Sequence, residues 1–199
     1  MSKAPGSPAR EETDGRRQRS EASRERIVDA MLELVGSGDA CPSAEAVAAR
    51  ANVGLRTVFR HFDNMESLYQ QINAAIFAEV HPIMTRPFSG ATWQEQIDEL
   101  VGRRVRIFER IMPYKIAGEI HRHRSAFLAG QSGKMTREQR AILSELLPKE
   151  RRKDALLFES LDLILSFDTW RRLRKEQKLS PSRSRRVIEH LVSLIVPGI

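Results

Sequence analysis

Apolar residues recur at the helical period along most of the chain, and Gly, Pro and Asn punctuate them. Ile27, Met31 and Leu34 share one face of a helix that begins near Ser20, and Gly36 and Gly38 in "GSGD" supply the permissive backbone that ends it. Ser43 is placed to cap a short second helix whose inward stripe is Ala44, Val47, Ala48 and Ala51. "NVG" is the turn that follows, with Asn52 as a residue that tolerates left-handed backbone. A third helix from Leu55 to about Phe62 turns Val58 and Phe62 inward and leaves Arg56, Thr57, Phe59, Arg60 and His61 mostly outward.

Beyond this point the pattern predicts a helix from Asn64 to about Val80, a break at "HPIMTRPFSGA", and a helix from Thr92 to about Ile111. Pro113 opens the next, which runs to Ala129; "GQSG" interrupts, and another covers Thr136 to Leu147. A long helix from Pro148 to about Gln177 is apolar on nearly every side. Leu157, Leu161 and Ile164 follow one line, and Leu156, Leu163, Phe167 and Trp170 another. The last helix, Arg183 to Val196, repeats the doubling, with Val187, Leu191 and Leu194 beside Ile188, Val192 and Ile195. Helices apolar on two sides need cover on two sides. With no credible strand pair, sequence repeat or Gly-rich phosphate loop, the expected fold is all-α, with about nine helices.

The opening "MSKAPGSPAREETDGRRQRSEAS" has almost nothing apolar to bury, which predicts a flexible arm over residues 1–19. The remaining chain of this 199-residue protein is long enough for a substantial core. No apolar run approaches the length needed to cross a bilayer, the first twenty residues lack a secretory core, and Cys41 is alone. A reducing cytoplasm is the expected compartment. The formal net charge of +7 points to a polyanionic partner without locating it, because "WRRLRKEQKLSPSRSRR" is more basic than Ser43 to Phe62.

A supporting helix, a short second helix, a tight turn and a third helix with exposed polar side chains have the proportions of a helix-turn-helix module. Its residues make the assignment sharper. Ser43 leads the second helix, Ala51-Asn52-Val53-Gly54 forms the turn, Thr57 and Phe59-Arg60-His61-Phe62 lie on the third, and Met65-Glu66-Ser67-Leu68 starts the fourth. Over about Ile27 to Leu68 this resembles the tetracycline-repressor (TetR) family of bacterial transcription regulators. That family has Ala-Gly-Val-Ser, Tyr-x-His-Phe and Lys-Glu-x-Leu at the corresponding places. Asn52 stands for the turn Gly, Gly54 for the capping Ser, Phe59 for a phosphate-bonding Tyr, and Met65 for a phosphate-binding Lys, so backbone contacts are weakened while the module is kept. The resemblance implies an amino-terminal DNA-binding domain at residues 20–66 and a helical effector-binding and dimerisation domain at 67–199.

Arg56 is the expected base reader, since a guanidinium bonds a guanine edge bidentately. Thr57 and Arg60 are expected to hold phosphate, as is Ser43 through its hydroxyl and the free amides of a helix start. His61 is a phosphate contact by its place in the motif, and "GRRQRS" is a candidate minor-groove arm. The resemblance also implies a homodimer through the last two helices, a palindromic operator and release by a small molecule.

For that molecule, Arg104 interrupts the apolar line Trp93, Ile97, Leu100, Phe108 and Ile111, and His123 interrupts Ile116, Ile120 and Phe127. Either Arg104 pairs internally with Asp168, or Arg104 and His123 orient an anionic or carbonyl-bearing effector. The pocket would be lined by Trp93, Phe108, Phe127, Phe167 and Trp170. Catalysis has no support: no Ser, His and acid set stands out, and Cys41 has no activating base nearby in sequence. His121 and His123 point to different faces of a helix, so neither a metal nor another cofactor is expected. The alternative is a helical protein-interaction or membrane-surface module, which leaves "FRHF" unexplained.

Overall fold

The computed structural model describes the backbone of residues 8–121 and 126–196, and the side chains of residues 15–120 and 133–196. Among the described residues the secondary structure is entirely helical, and the chain divides into two compact units, Met1–Ala75 and Ile76–Ile199. The division falls inside the fourth helix.

In the amino-terminal unit, α1 (Pro8–Gly36) buries Ile27, Ala30, Met31 and Val35, while Leu34 is half-buried. It begins well before Ser20, so the stretch expected to be an arm is helical from Pro8. That expectation weighed burial alone, and Arg16 to Ser20 are indeed exposed. Yet Ala, Arg, Glu and Gln are strong helix formers, and a helix already nucleated by a buried turn extends at little cost. Arg19 Nε bonds the Gly15 carbonyl and Ser23 Oγ the Arg19 carbonyl, so side chains return onto the helix itself. Gly38, with φ of 108°, makes the left-handed exit; Gly36 remains helical.

Helix α2 (Ala44–Arg50) is capped by Ser43, whose Oγ accepts from the Ala46 amide at 3.2 Å, and buries Ala44, Val47 and Ala48. Asn52 takes φ of 51°, the left-handed backbone that its short amide tolerates. Helix α3 (Leu55–His61) starts at Gly54 with no side-chain cap, and Val58 and the following Phe62 anchor it. Asn64 Oδ1 then accepts from the Ser67 amide and starts α4 (Met65–Thr85).

The second unit is organised on α5 (Trp93–His121), which packs against α6 (Ala126–Leu146), α9 (Phe167–Arg171) and α10 (Pro181–Ile195). Two expected breaks are absent: α5 runs through Pro113, and α6 covers the "GQSG" stretch. The break at "HPIMTRPFSGA" comes later than expected, because α4 runs through Pro82 to Thr85. An interior Pro costs about 3 kcal/mol, but each buried large apolar side chain returns about 1.5–3 kcal/mol. Ile111, Met112, Tyr114 and Ala117 are all buried around Pro113, so packing outweighs the defect.

The long penultimate helix is instead divided into α7 (Lys149–Arg152), α8 (Ala155–Ile164), α9 and a π-helical turn over Arg172–Glu176. Asp154 accepts from the Leu157 amide and Ser166 Oγ from the Thr169 amide, each at 3.1 Å. These short polar side chains compete with the helix for its own amides and restart it as N-caps.

The segment between α4 and α5 is held by α5 itself. Glu99 accepts from the Ser89 amide and hydroxyl, Gln96 donates to the Gly90 carbonyl, and Arg103 donates to the Arg86 and Pro87 carbonyls. The Arg103 guanidinium also lies 3.8 Å from the Phe88 ring centroid. Gly90 comes so close to α5 that a Cβ there would lie 2.7 Å from Glu95 Cβ and 2.9 Å from the Gln96 amide nitrogen.

Candidate nucleic-acid interface

The two turns of α3 form four pairs of residues spaced i,i+4, and each pair forms its own stripe along the helix. Val58 and Phe62, 1% and 3% exposed, are the anchor. Arg56 and Arg60 are both exposed, and no acidic side chain pairs with either among the described residues. Thr57 and His61 form the half-buried stripe on one flank, and Leu55 and Phe59 the exposed apolar stripe on the other. The five polar and aromatic residues expected to face outward thus do so, two of them only in part.

His61 is more constrained than its place in the motif implies. Burial of the ring, with Arg60 and Arg24 nearby, holds its pKa below the usual 6.5, against a smaller opposing effect of Glu21. Its Nε2 is buried without a hydrogen-bond partner among the described residues, so a phosphate could reach only the other ring nitrogen. A depressed folded pKa means that the unfolded chain takes up a proton first as pH falls below 6.5. Stability is therefore fully present above pH 6.5 and is lost as pH falls toward the folded value. Melting curves of the protein at pH 7.5 and 5.5 should show this loss, and His61→Gln should remove its share. An unchanged pH dependence in His61→Gln would assign the effect to other groups.

Ser43 is exposed at the start of α2, but its site is shared. The Glu45 carboxyl is held below the usual carboxylate range by its own backbone amide and by the Ser43 hydroxyl, so a phosphate here competes with a carboxylate. Arg50 points elsewhere, to Glu33 at 3.1 Å, which ties α2 to α1. Arg24 lies over the Phe62 ring at 5.5 Å and braces the end of α3.

The second unit gathers part of the expected effector set. Phe108 and Phe167 are buried and meet edge to face with centroids 5.6 Å apart, while Trp170 is fully buried and donates from Nε1 to Glu109 at 2.8 Å. Glu109 also accepts from Arg174 at 2.7 Å, a buried-edge network that the apolar pattern did not reveal. Trp93 is half-buried at the start of α5.

Arg104 and Asp168 do not pair. Asp168 is exposed and lies 3.8 Å from Arg171. Arg104 is buried and donates to the main-chain carbonyls of Leu165 and Gln139, both at 2.8 Å. The break before Ser166 leaves the Leu165 carbonyl beyond the end of α8, and the cation satisfies it there. His123 and the Phe127 side chain lie outside the described residues.

No family model matches the chain and no curated protein matches it significantly. Among solved structures, SCO7518 of Streptomyces coelicolor A3(2), assigned as a transcriptional regulator, superposes with a TM-score of 0.57 at 16% identity, covering 86% of this chain and 98% of its own. The multidrug-binding protein EbrR, solved with imidazole, gives a TM-score of 0.55 at 20% identity, with 88% and 92% covered. The chain shares their fold. At such identity the likeness extends to the helical arrangement and not to individual side chains, so the chemistry rests on the residues above. Of these, sequence reasoning missed Glu45, Glu109 and Arg103. Glu45 was detectable as an acid in the first turn of a capped helix.

Proposed function

We propose that the protein is a TetR-like, DNA-binding transcriptional regulator that reads a palindromic operator as a dimer through α3. The observation that carries this reading is the outward pair of unpaired guanidiniums, Arg56 and Arg60, on a short helix anchored by Val58 and Phe62. Such a helix fits the major groove with its first turn at the base edges, which assigns Arg56 to a guanine and Arg60 to phosphate. Two-fold symmetry places half-sites about 34–36 Å apart or a multiple of it. The exposed Leu156, Leu163 and Leu194 supply apolar surface for a second copy. EbrR is named for binding drugs; here the buried Phe108, Phe167 and Trp170 support an apolar effector as the releasing signal, and release requires only that it bind better to the dimer unable to hold DNA.

The test is fluorescence anisotropy on a selected duplex and on random duplex over a range of salt. Arg56→Ala should cost about 1–3 kcal/mol on the selected site and relax base preference there. Arg60→Ala should weaken both duplexes and reduce the salt slope by about one. His61→Ala should weaken both but leave the slope unchanged at neutral pH, because its imidazole is held neutral. Equal losses on both duplexes for Arg56→Ala would remove it from base readout. Binding without salt dependence would overturn the DNA-binding function in favour of an apolar protein or membrane surface.

A further inference from the structure

In the described part of the amino-terminal unit, the large hydrophobic side chains left exposed are Leu55, at 38%, and Phe59, at 49%. Both lie on α3, one turn apart, beside the stripe formed by Arg56 and Arg60. Single exposed apolar residues are ordinary on a protein surface, but an apolar stripe alongside two unpaired cations on one short helix selects a particular kind of partner. It must be polyanionic and must also present an apolar group within reach of that stripe.

Resting on the DNA-binding reading above, we infer that Leu55, with Phe59 behind it, reads the C5 methyl of a thymine in each operator half-site. Among the base edges in the major groove, the thymine methyl is the apolar one, whereas phosphates are charged and sugars are the same at every position and carry no sequence information. Leu55 is the first residue of α3, at the end of a recognition helix that enters the groove and meets the base edges. Phe59 sits one turn farther along the same stripe and closes it against water. Arg56 follows Leu55 directly, so the thymine and the guanine assigned to Arg56 are neighbours in the half-site. Leu55 is therefore a specificity residue at a position where Arg56 alone would leave one base pair unread.

The experiment uses the full chain and a random-sequence duplex pool. The duplex enriched by repeated selection is resynthesised with deoxyuridine replacing one thymine at a time, which deletes the methyl and nothing else. One thymine per half-site should be sensitive, with affinity falling about fourfold for each half-site, the equivalent of about 0.8 kcal/mol for one buried methyl. Leu55→Ala, which keeps a good helix former in α3, should bind the thymine and deoxyuridine duplexes equally. If a sequence is enriched but no thymine is sensitive, or if the sensitivity persists in Leu55→Ala, Leu55 does not read a methyl although the protein reads DNA. Loss of sensitivity in Phe59→Ala alone would also overturn the assignment to Leu55. If no sequence is enriched, this inference falls together with the DNA-binding reading.

Discussion

Arg104→Met is expected to lower the unfolding free energy by about 3 kcal/mol, the balance of two lost charge-assisted hydrogen bonds and a stranded carbonyl against the relief of desolvation. The opposing effect is real: burial pushes the Arg104 pKa down to about 10, with Asp162 counteracting, so the charge itself is costly where it lies. Removing a buried charge in favour of an apolar side chain is often neutral when its partners leave with it. Here they remain. The Leu165 carbonyl stays at the end of α8 and the Gln139 carbonyl on α6, both facing a thioether that cannot donate. Losing those bonds therefore outweighs the relief of desolvation. Arg104→Lys keeps the charge but cannot span two carbonyls, and it should fall between the two. Denaturant unfolding of the three proteins decides the matter, and a loss below about 1 kcal/mol for Arg104→Met would show that the carbonyls find other donors.

Arg104 also shows where sequence reasoning stops. Its inward position was legible from the apolar line it interrupts, because a helical period places side chains on faces. Its partners were not legible, because they are main-chain carbonyls, and every residue type carries one. The Leu165 carbonyl is free only because Ser166 restarts the chain as α9. That break was itself hidden, since Ser and Asp are tolerated within helices and reveal themselves as caps only in three dimensions. Pro113 misled in the opposite direction, as a local breaker overruled by the burial of Ile111, Met112, Tyr114 and Ala117. Helix α3 was legible for a simpler reason. Its seven residues need only an anchor spaced i,i+4, a left-handed Asn52 and an outward Arg pair, and each is a local property of the side chains involved.

The largest effect on DNA binding is expected from Leu156→Glu combined with Leu163→Glu. These leucines are 82% and 68% exposed, lie two turns apart on α8, and so share a face that the chain's own core does not cover. α8 packs on α10, whose outer line of Val187, Leu191 and Leu194 is partly or fully exposed in the same way. A second copy covering that face would bury four such leucines across a two-fold axis, worth about 6 kcal/mol at about 1.5 kcal/mol each. Losing that contribution weakens the dimer by about four orders of magnitude, before the cost of burying four carboxylates is counted. The double variant should therefore sediment as a monomer at micromolar concentration, and the parent as a dimer. Operator affinity should fall at least about a hundredfold, because one half-site no longer holds the second reading helix at high effective concentration. Both positions are exposed in the single chain, so its melting at low concentration should change little, which separates dissociation from unfolding. A double variant that remains dimeric at micromolar concentration would place the subunit interface on another face.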